Sequence, residues 1–408
     1  MPTTRQRLRS AKGGPLTSRL PRSHQQRPNL QAKQDHITSV TNGNGFLLWH
    51  SLAISGLLYN APIMAKPASQ LTKVIATCLV TLFLLTATIF GIAKWILFPF
   101  KKPVHAHKVF DYSIGNLKGN QWWSLSVGPN ADPLVVIANI ETGNDTAVNL
   151  KAIAKQCADR TLDCTIFHLA GDKLEQVHVT NIPGPYLTAQ PFGKSQFLLA
   201  TATSLKPAGE FNGFVYDMQG NVVRMVKLGV DLNQLECDAA GNLWTTYDTS
   251  KYTNAAINSG GLVCLDNQMN VLFRFNDKVI RKGLPALNYG LALNVTSDKD
   301  VSVCPNRDGS IVKIVNGAVD KVLKCYQASG CLALASSGSR LLFDKCDIAE
   351  NRMMVADVEH NQSYYVNPVD DSGNDIGLEQ RGFAARGSRL YFTDKKTVYF
   401  IDLAEIKD

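Results

Sequence analysis

The stretch from Asp231 to Phe275, DLNQLECDAAGNLWTTYDTSKYTNAAINSGGLVCLDNQMNVLFRF, constrains the chain more than any other. It reads as a meander of short strands, QLECD, LWTTYD, GLVCLD and VLFRF. They are joined by an Ala-Ala-Gly-Asn turn, a polar loop and an Asn-Gln-Met-Asn turn. Strands of five or six residues with Gly, Asn and Asp between them signal antiparallel β-structure. One such unit cannot bury both faces of its sheet, so the question is whether it recurs.

It does. A first unit comprises WWSLSV, LVVIANI, TIFHLA and EQVHVT, and a second PYLTAQ, QFLLATAT, GFVYDMQGN and VVRMVKL. Beyond the opening stretch, a fourth comprises YGLALNV, DVSVCP, SIVKIVNG and DKVLKCY, and a fifth GCLALASSG, RLLFDKC, RMMVADV and SYYVNP. The units begin near residues 122, 185, 233, 289, 330 and 381. The sixth, RGFAARG, RLYFTD and TVYFIDL, runs out of chain after three strands, and VFDYSI at 109–114 is a strand left over at the start. Four-stranded repeats of this size, with a terminal strand exchanged between the ends, describe an all-β, six-bladed β-propeller closed by an N-terminal strand. The propeller is expected over 104–408, with a helical insertion at about 145–160. There Asp145 is placed to cap a helix, and Leu150, Ile153, Ala154 and Cys157 fall on one face.

The charge is uneven. Residues 1–73 hold ten of the 42 Lys and Arg but only Asp35 of the 34 acids, so the net +8 belongs to the tail and the body is nearly neutral. That distribution points to a tail interaction and away from a nucleic-acid-binding fold. Residues 1–45 are too poor in large apolar groups to repay the entropy of ordering and read as a disordered basic tail. Val74 to Ala93 is twenty residues without a charge, the length of a membrane-spanning helix. With Lys94 and Trp95 at the interface, the transmembrane helix is expected over 74–100. The segment 46–73 is apolar at first and then a linker, and makes a marginal second span. A single span leaves the N-terminus cytoplasmic and the propeller extracytoplasmic; a hairpin of two spans would leave the propeller cytoplasmic.

The later units resemble a known blade grammar. GCLALASSGSRLLFD, GFAARGSRLYFTDKKTVYFIDL and AAGNLWTTYD are similar to the blades of six-bladed NHL and lactonase-like propellers, the gluconolactonase and strictosidine-synthase-like type. The resemblance covers roughly 185–403. In the enzymes of this type it implies a divalent metal or a substrate in the central channel, with Asn, Asp and Glu ligands suited to a hard cation such as Ca²⁺. Asn233 and Asn288 stand where two such ligands would be. The fifth unit has Gly330 and Cys331 in the matching place, and the first blade has no Glu-Gly-Pro, so the two asparagines also read as loop caps.

Other chemistry is sparse. Gly193-Lys194-Ser195 lacks the earlier glycine of a phosphate-binding loop, and no GxSxG or HExxH is present. His168 and His178 lie on neighbouring strands and read as structural. Cys157 with Cys164, and Cys325 with Cys331, form close pairs that suit disulfides in an oxidising compartment. The expectation is a membrane-anchored propeller acting as a binding or scaffold domain for a protein partner or small ligand, without nucleic acid. The alternative is a metal-dependent propeller hydrolase using Ca²⁺ in the channel. The fold leaves both open.

Overall fold

The computed structural model describes residues 79–83, 85–86, 102–112, 121–139, 162–182, 188–201, 211–248, 257–279, 286–288, 290–305, 309–347, 350–377, 382–394 and 396–407. Four of its tight turns share one chemistry. Asp217, Asp238, Asp266 and Asp370 each accept backbone N–H groups from two and four residues on. The Asn four positions on donates its amide to the other carboxylate oxygen. The residue before that Asn has positive φ, a place taken by Gly220, Gly241 and Gly373 and by Met269. Such Asx turns reverse the chain within five residues and set antiparallel neighbours.

The strands so joined form six sheets. Two strands precede them, β1 (Lys102–His105) and β2 (His107–Asp111). Blade 1 is β3 (Gln121–Val127), β4 (Pro133–Asn139), β5 (Leu162–Ala170) and β6 (Lys173–Ile182). Blade 2 is β7 (Thr188–Pro191), β8 (Gln196–Ala200), β9 (Gly213–Asp217) and β10 (Val222–Val226). Blade 3 is β11 (Leu232–Cys237), β12 (Leu243–Tyr247), β13 (Leu262–Leu265) and β14 (Val271–Arg274). Blade 4 is β15 (Gly290–Val295), β16 (Asp300–Pro305), β17 (Ser310–Val315) and β18 (Ala318–Lys324). Blade 5 is β19 (Leu334–Ser337), β20 (Arg340–Asp347), β21 (Glu350–Asp357) and β22 (Gln362–Val369). Blade 6 is β23 (Phe383–Arg386), β24 (Arg389–Asp394) and β25 (Thr397–Asp402).

Within each blade the strands lie in sequence order, and the first strand of each touches the first strand of the next. The last of these, β23, returns to contact β3, so the six sheets form a ring. The core is correspondingly divided into six clusters, one per blade-to-blade interface. Leu134, Ile166 and Phe197 pack blade 1 on blade 2, for example, and Leu342, Phe392 and Ile401 pack blade 5 on blade 6. These contacts make the chain a six-bladed β-propeller.

The first two strands are shared out between the last two blades. β2 pairs antiparallel with β25, His107 opposite Phe400 and Asp111 opposite Thr397, and takes the fourth position of blade 6. It therefore starts two residues before VFDYSI and ends at Asp111. β1 runs parallel to β22 as a fifth strand of blade 5, a pairing the sequence reading does not contain. Val104 and Ala106 enter the core between blades 5 and 6, while Phe110 and Tyr112 enter that between blades 6 and 1.

The helical insertion at about 145–160, the basic tail and the marginal span at 46–73 lie outside the described residues. Of the expected transmembrane helix 74–100, residues 79–83 and 85–86 are described. They are helical, with Leu79, Val80, Leu82, Phe83 and Leu85 all exposed. Among the described residues no helix is long and apolar enough to cross a membrane.

Candidate functional site

The six inner strands enclose a cavity of about 40 Å³, lined among others by Leu125, Gln190, Glu236, Leu293, Ala333 and Ala385. That is room for roughly one water molecule. Glu236 and Gln190 of this lining take part in a tie between blades. Arg386 donates through Nη1 to the carbonyl of Cys237 at 3.0 Å and lies 3.5 Å from Oε2 of Glu236. The same Oε2 accepts the N–H of Val295 at 2.8 Å, and Gln190 accepts the N–H of Cys237 at 3.0 Å.

Burial pushes the Glu236 carboxyl up to about 7, against the pull of Arg386 and of the Val295 N–H. Asp344, which accepts the N–H groups of Leu332 and Ala333 at 2.8 and 2.7 Å, is pushed up to about 6 by the same cause. Nε and Nη2 of Arg386, Nε2 of Gln190 and Oδ2 of Asp344 have no hydrogen-bond partner among the described residues.

Neither sequence-picked asparagine lines this cavity. Asn233 is half-buried on β11 with its Nδ2 unpartnered among the described residues, and Asn288 is exposed just before β15. Among the described residues no three His, Cys, Asp or Glu side chains are grouped to hold a metal. Cys325 and Cys331 are buried in the core between blades 4 and 5 beside Cys304. Cys164 is buried and free, and Cys157 lies outside the described residues.

A larger cavity, of about 620 Å³, lies at the rim. It is bounded by the β3–β4 and β5–β6 turns of blade 1, the β7–β8 turn of blade 2, and Arg389, Tyr391 and Phe400 of blade 6. Its polar centre is a buried pair: Nε2 of His168 donates to Oδ2 of Asp132 at 2.6 Å. Local backbone sets this up. The turn 128–132 closes through Gly128 N–H to the Asp132 carbonyl at 2.8 Å, and Oδ1 of Asp132 accepts the Asn130 N–H at 2.9 Å. A Cβ on Gly128 would meet the Asp132 carboxylate at 2.6 Å, so glycine lets that carboxylate fold back. Tyr391 donates to the Ala131 carbonyl at 2.8 Å and pins blade 6 to the same turn.

His168 reaches Asp132 because β4 and β5 pair with Leu134 opposite His168. On its other side β5 pairs with β6, which places Glu175 opposite His168 and His178 opposite Thr165. The two histidines therefore do not face each other, and His168 belongs to the cavity. Oε2 of Glu175 lies 3.6 Å from Nδ1 of His168, outside hydrogen-bond range, and Nδ1 has no hydrogen-bond partner among the described residues. Phe197 stands edge-on to the imidazole, ring centres 5.3 Å apart. A concavity of this volume that combines apolar side chains with convergent polar groups has the form of a small-molecule site.

The sequence matches no protein-family model and no curated protein. Solved structures similar to it include virginiamycin B lyase from Staphylococcus aureus, with 10% identity and a TM-score of 0.39, covering 72% of this chain and 98% of that one. The extracellular domain of a putative one component system from B. thetaiotaomicron has 10% identity and a TM-score of 0.39, covering 74% of this chain and 43% of that one. The nidogen/laminin complex has 12% identity and a TM-score of 0.38, covering 64% and 83%. The propeller assignment rests on the chain's own strand order, ring contacts and interface cores.

Proposed function

We propose that the protein is a membrane-tethered propeller that binds a small molecule in the rim cavity between blades 6, 1 and 2. The observation that carries this is a cavity of about 620 Å³ built around a buried His-Asp pair. The tether is supported by the uncharged run Val74–Ala93 and by the exposed side chains of Leu79, Val80, Leu82, Phe83 and Leu85. A single span with the N-terminus in the cytoplasm and the propeller outside accords with the basic tail. A protein partner would then meet the propeller's outer surfaces.

The test is a small-molecule screen by thermal shift on the purified full chain and on Ala170→Trp, which fills the cavity. Compounds that raise the melting temperature of the parent and leave Ala170→Trp unmoved support the assignment. Stabilisers that act equally on both overturn it. The tether is tested separately by carbonate extraction of membranes: full-length protein released into the soluble fraction ends that part of the reading.

A further inference from the structure

The β7–β8 turn of blade 2 points to a ligand class, an inference that rests on the binding role of the rim cavity. Gly193-Lys194-Ser195 is the tip of this hairpin, which the Phe192 N–H closes by donating to the Gln196 carbonyl at 2.9 Å. Gly193 and Ser195 have positive φ, 61° and 56°, and Lys194 between them does not. Such alternation turns successive backbone N–H groups toward one side and makes a concavity for an anion. Among the described residues the N–H groups of Gly193, Lys194 and Ser195 have no hydrogen-bond partner.

The turns at the same place in other blades are filled by their own side chains. In blade 1, Oδ1 of Asp132 accepts the Asn130 N–H. In blade 3, Asp238 accepts those of Ala240 and Asn242, and in blade 4, Oγ of Ser297 accepts those of Lys299 and Asp300. The blade 2 turn has no such acceptor among the described residues, and its Gly193, Ser195 and Gln196 line the cavity of about 620 Å³.

The other charges of the cavity are engaged. Asp132 is held by His168 and the Asn130 N–H, Glu175 by Nζ of Lys173 at 3.1 Å, and Nε of Arg389 donates to Asp402 at 3.1 Å. Lys194 is exposed, forms no ion pair among the described residues, and adds positive charge at the turn. Three donors beside a cation call for an oxyanion. A hydroxyl accepts from at most two of them and an ammonium from none. Pro191 and Phe197, paired across the base of the hairpin, and Met218 of the same blade line the cavity and offer apolar surface to the rest of a ligand.

We propose that the rim cavity recognises an oxyanion, a carboxylate or a phosphate monoester, carried on an apolar body and seated on the backbone N–H groups of residues 193–195.

Four probes matched in ring and chain test it: 3-phenylpropionate, 2-phenylethyl phosphate, 2-phenylethanol and 2-phenylethylamine, titrated calorimetrically into the purified full chain. At least one anion is expected to bind about tenfold more tightly than the alcohol or the amine, the scale of one charge-assisted hydrogen bond. The tighter anion tells carboxylate from phosphate. Lys194→Gln keeps the N–H and loses the charge, and should weaken that anion about threefold. Lys194→Pro loses both and should weaken it about tenfold further, with alcohol binding retained as the sign of an intact cavity. Ala170→Trp should abolish binding of all four. Alcohol or amine binding as tightly as both anions, or anion binding equal in Lys194→Pro and the parent, overturns the oxyanion seat. If Lys194→Pro loses the alcohol as well, Lys194→Gln decides, and unchanged anion binding there overturns the seat. If Ala170→Trp still blocks the probes that do bind, the cavity's binding role stands. No binding by any probe also overturns the seat and leaves the wider screen to decide the cavity. Anion binding that survives Ala170→Trp overturns both.

Discussion

Glu236 and Arg386 meet across the central channel, Oε2 to Nη1 at 3.5 Å, from inner strands of blades 3 and 6 that stand opposite in the ring. They are 150 residues apart in sequence, so the contact ties the two halves of the ring across its axis. Replacing one partner of a buried pair leaves the other uncompensated, which costs more than the pair is worth.

The pH dependence of stability follows from the proton this site retains. Glu236 is raised in the folded state from 4.5 to about 7, so between those values the folded chain holds a proton that the unfolded chain has released. The contribution of Glu236 is therefore fully present below about pH 4.5 and declines as pH rises toward 7, by roughly 3 kcal/mol in total. Asp344, raised from 3.8 to about 6, adds a decline of the same sign in its own window. Urea unfolding across this range should show the fall, and Glu236→Gln should flatten the part nearest neutrality. A profile that rises with pH there, or is the same in Glu236→Gln, contradicts the assignment.

Asp238 is the buried member of the four Asx turns. It accepts the N–H of Ala240 at 3.0 Å and of Asn242 at 2.9 Å, the Asn242 amide at 3.0 Å and the indole N–H of Trp244 at 3.1 Å. Asp238→Ala strands these donors and should cost about 2–4 kcal/mol. Asp266→Ala, in an exposed turn of the same design, should cost clearly less. Gly241→Ala isolates the backbone: φ is +82° and nothing lies within 4 Å of the added methyl. Its cost should be about 1–2 kcal/mol, from strain alone. Equal losses for Asp238→Ala and Asp266→Ala in urea titrations would remove burial as the cause.

The proposed orientation of the propeller can be tested on the thiols of blades 4 and 5. Cys325 and Cys331 sit in one buried cluster with Cys304. If the propeller lies outside, as proposed, oxidation should link Cys325 to Cys331, and peptide mapping without reductant should recover the linked pair. Complete alkylation after unfolding, with no reductant added, would instead place the propeller in the cytoplasm on a hairpin anchor. A link between Cys331 and Cys304 would retain the outside placement and correct the pairing.

The ring was legible in the sequence because its signal is periodic. Short alternating runs recur in every blade, turns such as DAAGN recur in several, and neither needs knowledge of register. The rim cavity was not legible for the opposite reason. Asp132, His168 and Glu175 come together only once β4, β5 and β6 are paired residue by residue, and one step of slip would turn each side chain to the other face. Tyr391 reaches the same turn from 260 residues away. The asparagines chosen by family resemblance, Asn233 and Asn288, lay on recognisable blade starts, and neither lines the small central cavity bounded in part by Leu125, Leu293 and Ala385. Nothing in a blade's own pattern reports which side chains its neighbours bring to that cavity.

The N-terminal strands should hold the ring as a whole. β2 lies outside β25 with Lys108 opposite Tyr399, and Thr397 donates to Asp111 at 2.7 Å. β1 lies outside β22, and the segment 102–112 delivers Val104, Ala106, Phe110 and Tyr112 to two of the six interface cores. Without them the outer edges of blades 5 and 6 would be bare and open to pairing with other chains. A chain beginning at Gly119 should therefore melt on the order of 10 °C or more below one beginning at Lys102, or aggregate. Because the lost contacts join the first described strands to the last, amide exchange should quicken across several blades. Acceleration confined to blade 6, or equal melting of the two chains, would show that the inner contact of β23 with β3 closes the ring unaided.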